Sequence, residues 1–138
     1  MQIEIYNMTV LNDKLNISLE AVCDSFSSLL WDIEYYKCGE FEVYIAASSR
    51  NIEIFQTGRI VGRDDDKDHF GLIESIELET DSEDGDYLII KGRFLMCLLE
   101  RRIIYPTLNF TSQTSYSAIV QKAVESNALT SGNRLIPG

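Results

Sequence analysis

The residues best placed to do chemistry are acidic. Asp64, Asp65, Asp66 and Asp68 crowd one turn ahead of His69, the only histidine. Clustered carboxylates of this kind can hold a hard cation such as calcium. Counted as a calcium loop from Asp66, the first ligands are Asp66 and Asp68, the glycine falls on Gly71 and the closing acid on Glu77. The next ligand position is Phe70, which offers no oxygen. The stretch after Gly71 alternates like a strand, where the motif needs loop and then helix. The run reads as a solvated turn. A second acidic stretch, Asp81–Asp86, carries Asp84-Gly85 and reads as the tip of a hairpin.

Nucleophilic and phosphate chemistry find less support. His69 has no serine or cysteine in a recognisable nucleophile setting, and zinc would need three or four ligands. Cys23, Cys38 and Cys97 form no CxxC and sit among apolar residues, so they read as buried free thiols in a reducing compartment. The segment GRIVGR lacks the Lys-Ser/Thr that a phosphate loop requires. The many carboxylates lie on alternating strand faces, with no acid and base set in opposed environments. The expectation is therefore no catalytic residue, no cofactor and no metal.

Recognition is better served. Trp31, Tyr35, Tyr36 and Tyr44 concentrate aromatic surface, and tyrosine and tryptophan anchor protein interfaces as well as cores. Arg93, Arg101 and Arg102 bring guanidinium groups to an acidic chain. They can pair with carboxylates within the subunit, compensate a helix C-terminus, or reach across an interface.

Size and charge bound the rest. The chain has 138 residues and a formal net charge of −10. That length buries a core without staples. The acidity argues against a nucleic-acid groove, which needs clustered Lys and Arg, and against an anionic membrane. No apolar run approaches the roughly 18 residues of a membrane span. The N-terminus alternates and lacks the basic and apolar blocks of a signal peptide.

The elements that must position these residues are short. Ile3, Ile5, Met8 and Val10 alternate with polar residues; Asn12-Asp13 signals a turn; Leu15, Ile17 and Leu19 alternate again, predicting a hairpin. A second hairpin runs through Leu29, Trp31, Ile33 and Tyr35, turns at Cys38-Gly39, and returns through Phe41, Val43, Ile45 and Ala47. Ser48-Ser49 caps a short helix that Gly58 is expected to end at C′. Arg59–Arg63 is a strand. Residues 70–80 form another, with a bulge near Gly71 and with Ile76, Leu78 and Thr80 inward. Tyr87–Arg93 returns, and Leu95, Met96, Leu98, Leu99 and Arg102 take helical spacing. Ile103–Tyr105 is extended and Pro106 stops it. Tyr116, Ile119, Val120, Ala123 and Val124 predict an amphipathic helix capped by Thr114 or Ser115. The fold class is mainly β with short helices (α+β): an antiparallel, barrel-like sheet in 1–105, then linker and helix in 106–138. The closing LIPG has no later element to pack against, so the chain is expected to be the N-terminal piece of a longer protein.

Four residue groups, in order, carry a family resemblance. They are Trp31 with Gly39-Glu40-Phe41-Glu42-Val43; Gly58-Arg59-Ile60-Val61; Gly71-Leu72-Ile73-Glu74-Ser75-Ile76; and Ile89-Ile90-Lys91-Gly92-Arg93-Phe94-Leu95 with Leu99, Arg102, Ile103 and Ile104. Asn109-Phe110 and Arg134-x-Ile136-Pro137 extend the match. The chain resembles the N-terminal region of siphophage and prophage tail-hub proteins, of the baseplate-hub or tail-associated-lysin type. The resemblance implies a β-barrel hub domain, commonly a trimer, forming a ring at the virion tail tip. It implies contacts with the distal tail ring and the tape-measure protein, and synthesis in the bacterial cytoplasm. It carries over no catalytic residue. The alternatives are a non-catalytic N-terminal part of a tail-associated peptidoglycan hydrolase and a small-ligand-binding β-barrel.

Overall fold

The computed structural model describes residues 1–12, 14–81, 85–100 and 107–127. Seven strands form one antiparallel sheet: β1 (Ile3–Leu11), β2 (Lys14–Cys23), β3 (Ser28–Asp32), β4 (Glu40–Ala46), β5 (Ile60–Arg63), β6 (Asp66–Asp81) and β7 (Gly85–Phe94). Among the described residues three helices accompany it: α1 (Ser49–Ile54), α2 (Cys97–Glu100) and α3 (Tyr116–Asn127). The strand order is β2-β1-β5-β6-β7-β4-β3, so β2 and β3 are edges and the sheet does not close into a barrel.

The sheet nevertheless curls. Trp31 on edge strand β3 donates its indole N–H to Asp66 on β6 at 3.1 Å, and the Arg63 guanidinium lies 5.6 Å from its ring. In a flat sheet, β3 and β5 would be about 19 Å apart, since neighbouring strands are spaced by ~4.8 Å. Only a curl brings them together. Its concave side holds one core: Ile3 and Ile5 from β1, Cys23 from β2, Phe41, Val43 and Ile45 from β4, Val61, Ile73, Leu88 and Ile90. Phe55, just past α1, completes it and is 1% exposed.

Local chemistry explains the elements. Ser48 caps α1: its Oγ accepts the Asn51 amide at 3.1 Å, satisfying an N–H that the first turn leaves unpaired. The buried Asn51 donates Nδ2 to the Ala46 carbonyl at 2.8 Å. The helix ends at Phe55, earlier than a Gly58 C′ requires. Gly58 instead sits in the turn closed by the Arg59 amide on the Gln56 carbonyl, where its φ of +87° suits a residue without a Cβ. Arg59 takes over the C-terminal role: Nη1 donates to the Glu53 and Ile54 carbonyls at 3.2 and 2.8 Å.

Three further sequence expectations shift. β3 stops at Asp32, where its partner β4 begins at Glu40, so the alternation of Ile33 and Tyr35 continues into a loop. The bulge expected near Gly71 is present but its placement differs on the two sides of β6: against β5 the register slips beside Gly71, and against β7 it slips between Ile73 and Ser75. Leu78 and Thr80 are exposed, because the far end of the β6–β7 hairpin runs past the core. The hairpin itself stands, with Asp81 paired to Gly85; Asp84 lies outside the described residues. Ser115 caps α3, accepting from the Ala118 amide at 3.3 Å. Ile103–Tyr105, Pro106 and the closing LIPG also lie outside the described residues.

Phe41 governs the packing at the middle of the sheet. A Cβ at Gly71 would meet the Phe41 ring, and one at Gly92 would meet both that ring and the Leu72 carbonyl. The ring occupies space that only glycine leaves free on β6 and β7. Gly71→Ala should therefore cost about 2–3 kcal/mol through overpacking, and lower Tm by roughly 10 °C. Adding Phe41→Leu should make the double variant cheaper than the sum of the singles, as a thermal-melt double-mutant cycle would read.

Candidate functional site

The end of the curl where β3 meets β5 and β6 is the most organised polar region. Asp66 is its centre. It accepts Trp31 Nε1, His69 Nδ1 at 2.9 Å, and the Asp68 and His69 amides at 3.2 and 3.3 Å. Burial opposes its ionisation, yet the hydrogen bonds from His69, the Asp68 amide and Trp31 prevail and hold its carboxyl at about 2. An ionised Asp66 only accepts, so Nδ1 of His69 carries the proton. The Trp31 ring packs edge-on against Phe94 at 4.8 Å and tilted on Phe41 at 5.8 Å. Beside it, Arg63 makes a forked bond to Asp65 at 2.9 and 2.7 Å.

Next to this cluster opens a cleft of about 480 Å³ between the 33–39 loop and α2. Tyr35, Tyr36, Cys38, His69, Met96 and Leu99 are among the residues that line it. Tyr35 and Tyr36 are 91% and 93% exposed and meet edge to face at 4.7 Å. Loop placement, not strand pairing, exposes them: a strand would have tucked one of the two inward. Cys38 donates its Sγ proton to the Phe94 carbonyl at 3.0 Å. Burial and the adjacent Cys97 thiol push its pKa up to about 11, so the cleft's thiol is protonated and a poor nucleophile at neutral pH. The cleft offers aromatic faces, thioether and aliphatic surface, with Glu34, Lys37 and Glu100 adding charge to its wall. Among the described residues no group of three or more His, Cys, Asp or Glu could hold a metal ion. No described helix is long and apolar enough to cross a membrane.

The structure separates the residues singled out from the sequence. Trp31 is half-buried and holds the curl. Tyr35 and Tyr36 rim the cleft. Tyr44 lies on β4 on the side opposite the core, where Glu42 raises its phenol pKa. Arg93 is on that outer side too, forked onto Glu74 through Nε and Nη2 at 2.9 Å each, with Nη1 3.5 Å from Glu100, so it pairs within the subunit. Glu74 accordingly raises the Arg93 pKa. Arg101 and Arg102 lie outside the described residues. His69, Cys38, Met96 and Leu99 were not grouped by sequence reading. The one available signal was the spacing of Asp66 and His69, which sets two side chains on one side of a turn exit.

Together these features define a mainly β chain built on one curled, open sheet, with an aromatic-rimmed cleft at its edge. The family model for the Siphovirus ReqiPepy6 Gp37-like protein matches residues 3–137, and the chain belongs to that family. No curated protein and no solved structure gives a significant match.

Asp66 sets an acid limit. Its folded pKa lies below the ordinary 3.8, so its contribution to stability is complete above about pH 4. It fades as pH falls through about 2. Asp66→Asn should lose about 1–3 kcal/mol at neutral pH, the scale of hydrogen bonds to a charged group. It should also flatten the acid limb of the stability curve, measured by denaturant unfolding from pH 7 to pH 2.

Proposed function

We propose that this chain is a structural component of the siphophage tail tip: a hub domain that joins a ring, commonly of three copies, and docks other tail proteins. Membership of a siphophage family over nearly the whole chain carries this reading. The exposed Tyr35–Tyr36 pair supports it, since rigid aromatic side chains at a cleft mouth are what protein partners use as anchors. The partners would be the distal tail ring and the tape-measure protein, and the site of action the virion tail tip. Function on this reading is positional, and no bond is made or broken. The inside of the curl is filled by Phe41, Val43, Ile45 and Phe55, which favours a packed scaffold over a lumen for a small ligand.

The test is genetic and structural together. Phage lacking the gene should release particles without complete tails, and antibody labelling of complemented particles should mark the tail tip. A Tyr35→Ala/Tyr36→Ala double variant should fold with unchanged Tm and restore plaque formation at least about tenfold less well, given that a central aromatic anchor is worth ~2 kcal/mol or more. Normal infectious particles assembled without the protein would sink the reading.

A further inference from the structure

The β1–β2 hairpin outruns the rest of the sheet. β1 pairs with β5 only from Ile3 to Tyr6, whereas its pairing with β2 continues to Leu11 opposite Lys14. The extension is a two-stranded arm. Its cross-strand pairs Tyr6–Leu19, Met8–Ile17 and Val10–Leu15 put apolar residues on one face. Asn7–Ser18 and Thr9–Asn16 put polar residues on the other. The register shift opposite Ile5 and Tyr6 places Glu20 as the extra residue, and that bulge moves the apolar residues from the core side to the outer side. Leu15, Ile17 and Leu19 are 42%, 50% and 55% exposed.

Among the described residues, no strand lies along the outer edge of β2. An unpaired edge with apolar side chains is a template for another strand, and proteins usually blunt it with proline, a charge or a bulge. Between Leu15 and Leu19 none of these is present. A two-stranded ribbon is also only marginally stable by itself.

The edge sequence complements itself. In an antiparallel pair of two β2 strands centred on Ile17, Leu15 faces Leu19, Asn16 faces Ser18, and Ile17 faces its own copy. The register ends at Glu20, the bulged residue, whose carboxylate lies 3.9 Å from Arg59 of its own chain. Each position meets a residue of matching kind, and a two-fold axis makes every match twice. We propose that β2 is a homotypic contact: a second copy of this chain adds its β2 edge to edge, with the two-fold axis at Ile17. The contact joins the two sheets and runs their outer apolar bands together across four strands. It closes at two copies, so it is distinct from any ring contact and does not depend on the tail reading.

Sedimentation of the intact chain over a wide concentration range reads this directly. The wild type should show a reversible dimer. Ile17→Lys sets two like charges across the axis and should weaken association about tenfold or more, with an unchanged circular dichroism spectrum. Register is tested by a pair of double variants. Leu15→Lys/Leu19→Glu places opposite charges across from each other and should dimerise more tightly than Leu15→Lys/Leu19→Lys. A wild type that stays monomeric at hundreds of micromolar, association insensitive to position 17, or two double variants that behave alike would each overturn the proposal.

Discussion

The packing of Phe41 over Gly71 and Gly92 is the constraint on which the rest depends. Phe41 lies on β4 and the two glycines on β6 and β7, so the ring spans three consecutive strands of the sheet order β6-β7-β4. Filling that hollow fixes how far β4 leans over β7. That lean in turn carries β3 around to β5 and β6, where Trp31 meets Asp66 and Arg63. Without the hollow, a ring of this size would push the strands flatter, and the edge would not reach. The hydrophobic gain of burying the ring, about 2–3 kcal/mol by area, is thus also what shapes the sheet.

Charge on the outer surface follows the same frame. Lys91 on β7 lies between Glu42 on β4 at 3.5 Å and Glu77 on β6 at 3.3 Å, and Arg93 holds Glu74. These pairs are exposed and individually weak. Their role is register: like charges directly opposite on neighbouring strands would repel, and alternating cations on β7 separate the acids on either side. On the other flank Lys67 and Tyr6 both bond Glu4, at 3.0 and 2.7 Å, tying β1 to the start of β6. A chain of net charge −10 thereby keeps its acids apart where strands meet.

Alternation made both N-terminal hairpins and the β6–β7 hairpin legible, and Ser48 announced α1. What stayed illegible was set by partners rather than by local pattern. Ile33 and Tyr35 alternate as well as Leu29 and Trp31 do, yet a strand exists only where a neighbour supplies hydrogen bonds, and β4 supplies none beyond Glu40. Gly58 lies near a helix end, but Arg59 had already satisfied the carbonyls that a C′ glycine would serve. Gly71 signalled an irregularity that the ladder does show, but not the ring from a distant strand that fills the space of its missing Cβ. The cleft was hidden for the same cause. Tyr35 and Tyr36 were legible as an aromatic pair, whereas Met96, Leu99, Cys38 and His69 join them only after the curl is formed.

The single tryptophan sits where the edge strand closes on the opposite side of the sheet, between a carboxylate, a guanidinium and two phenylalanine rings. Its indole is therefore an optical gauge of curvature. Emission from this one chromophore follows whether β3 is seated or lifted, separately from whether the sheet as a whole is folded. The molecule carries its own strain indicator at the seam where β3 meets β5 and β6.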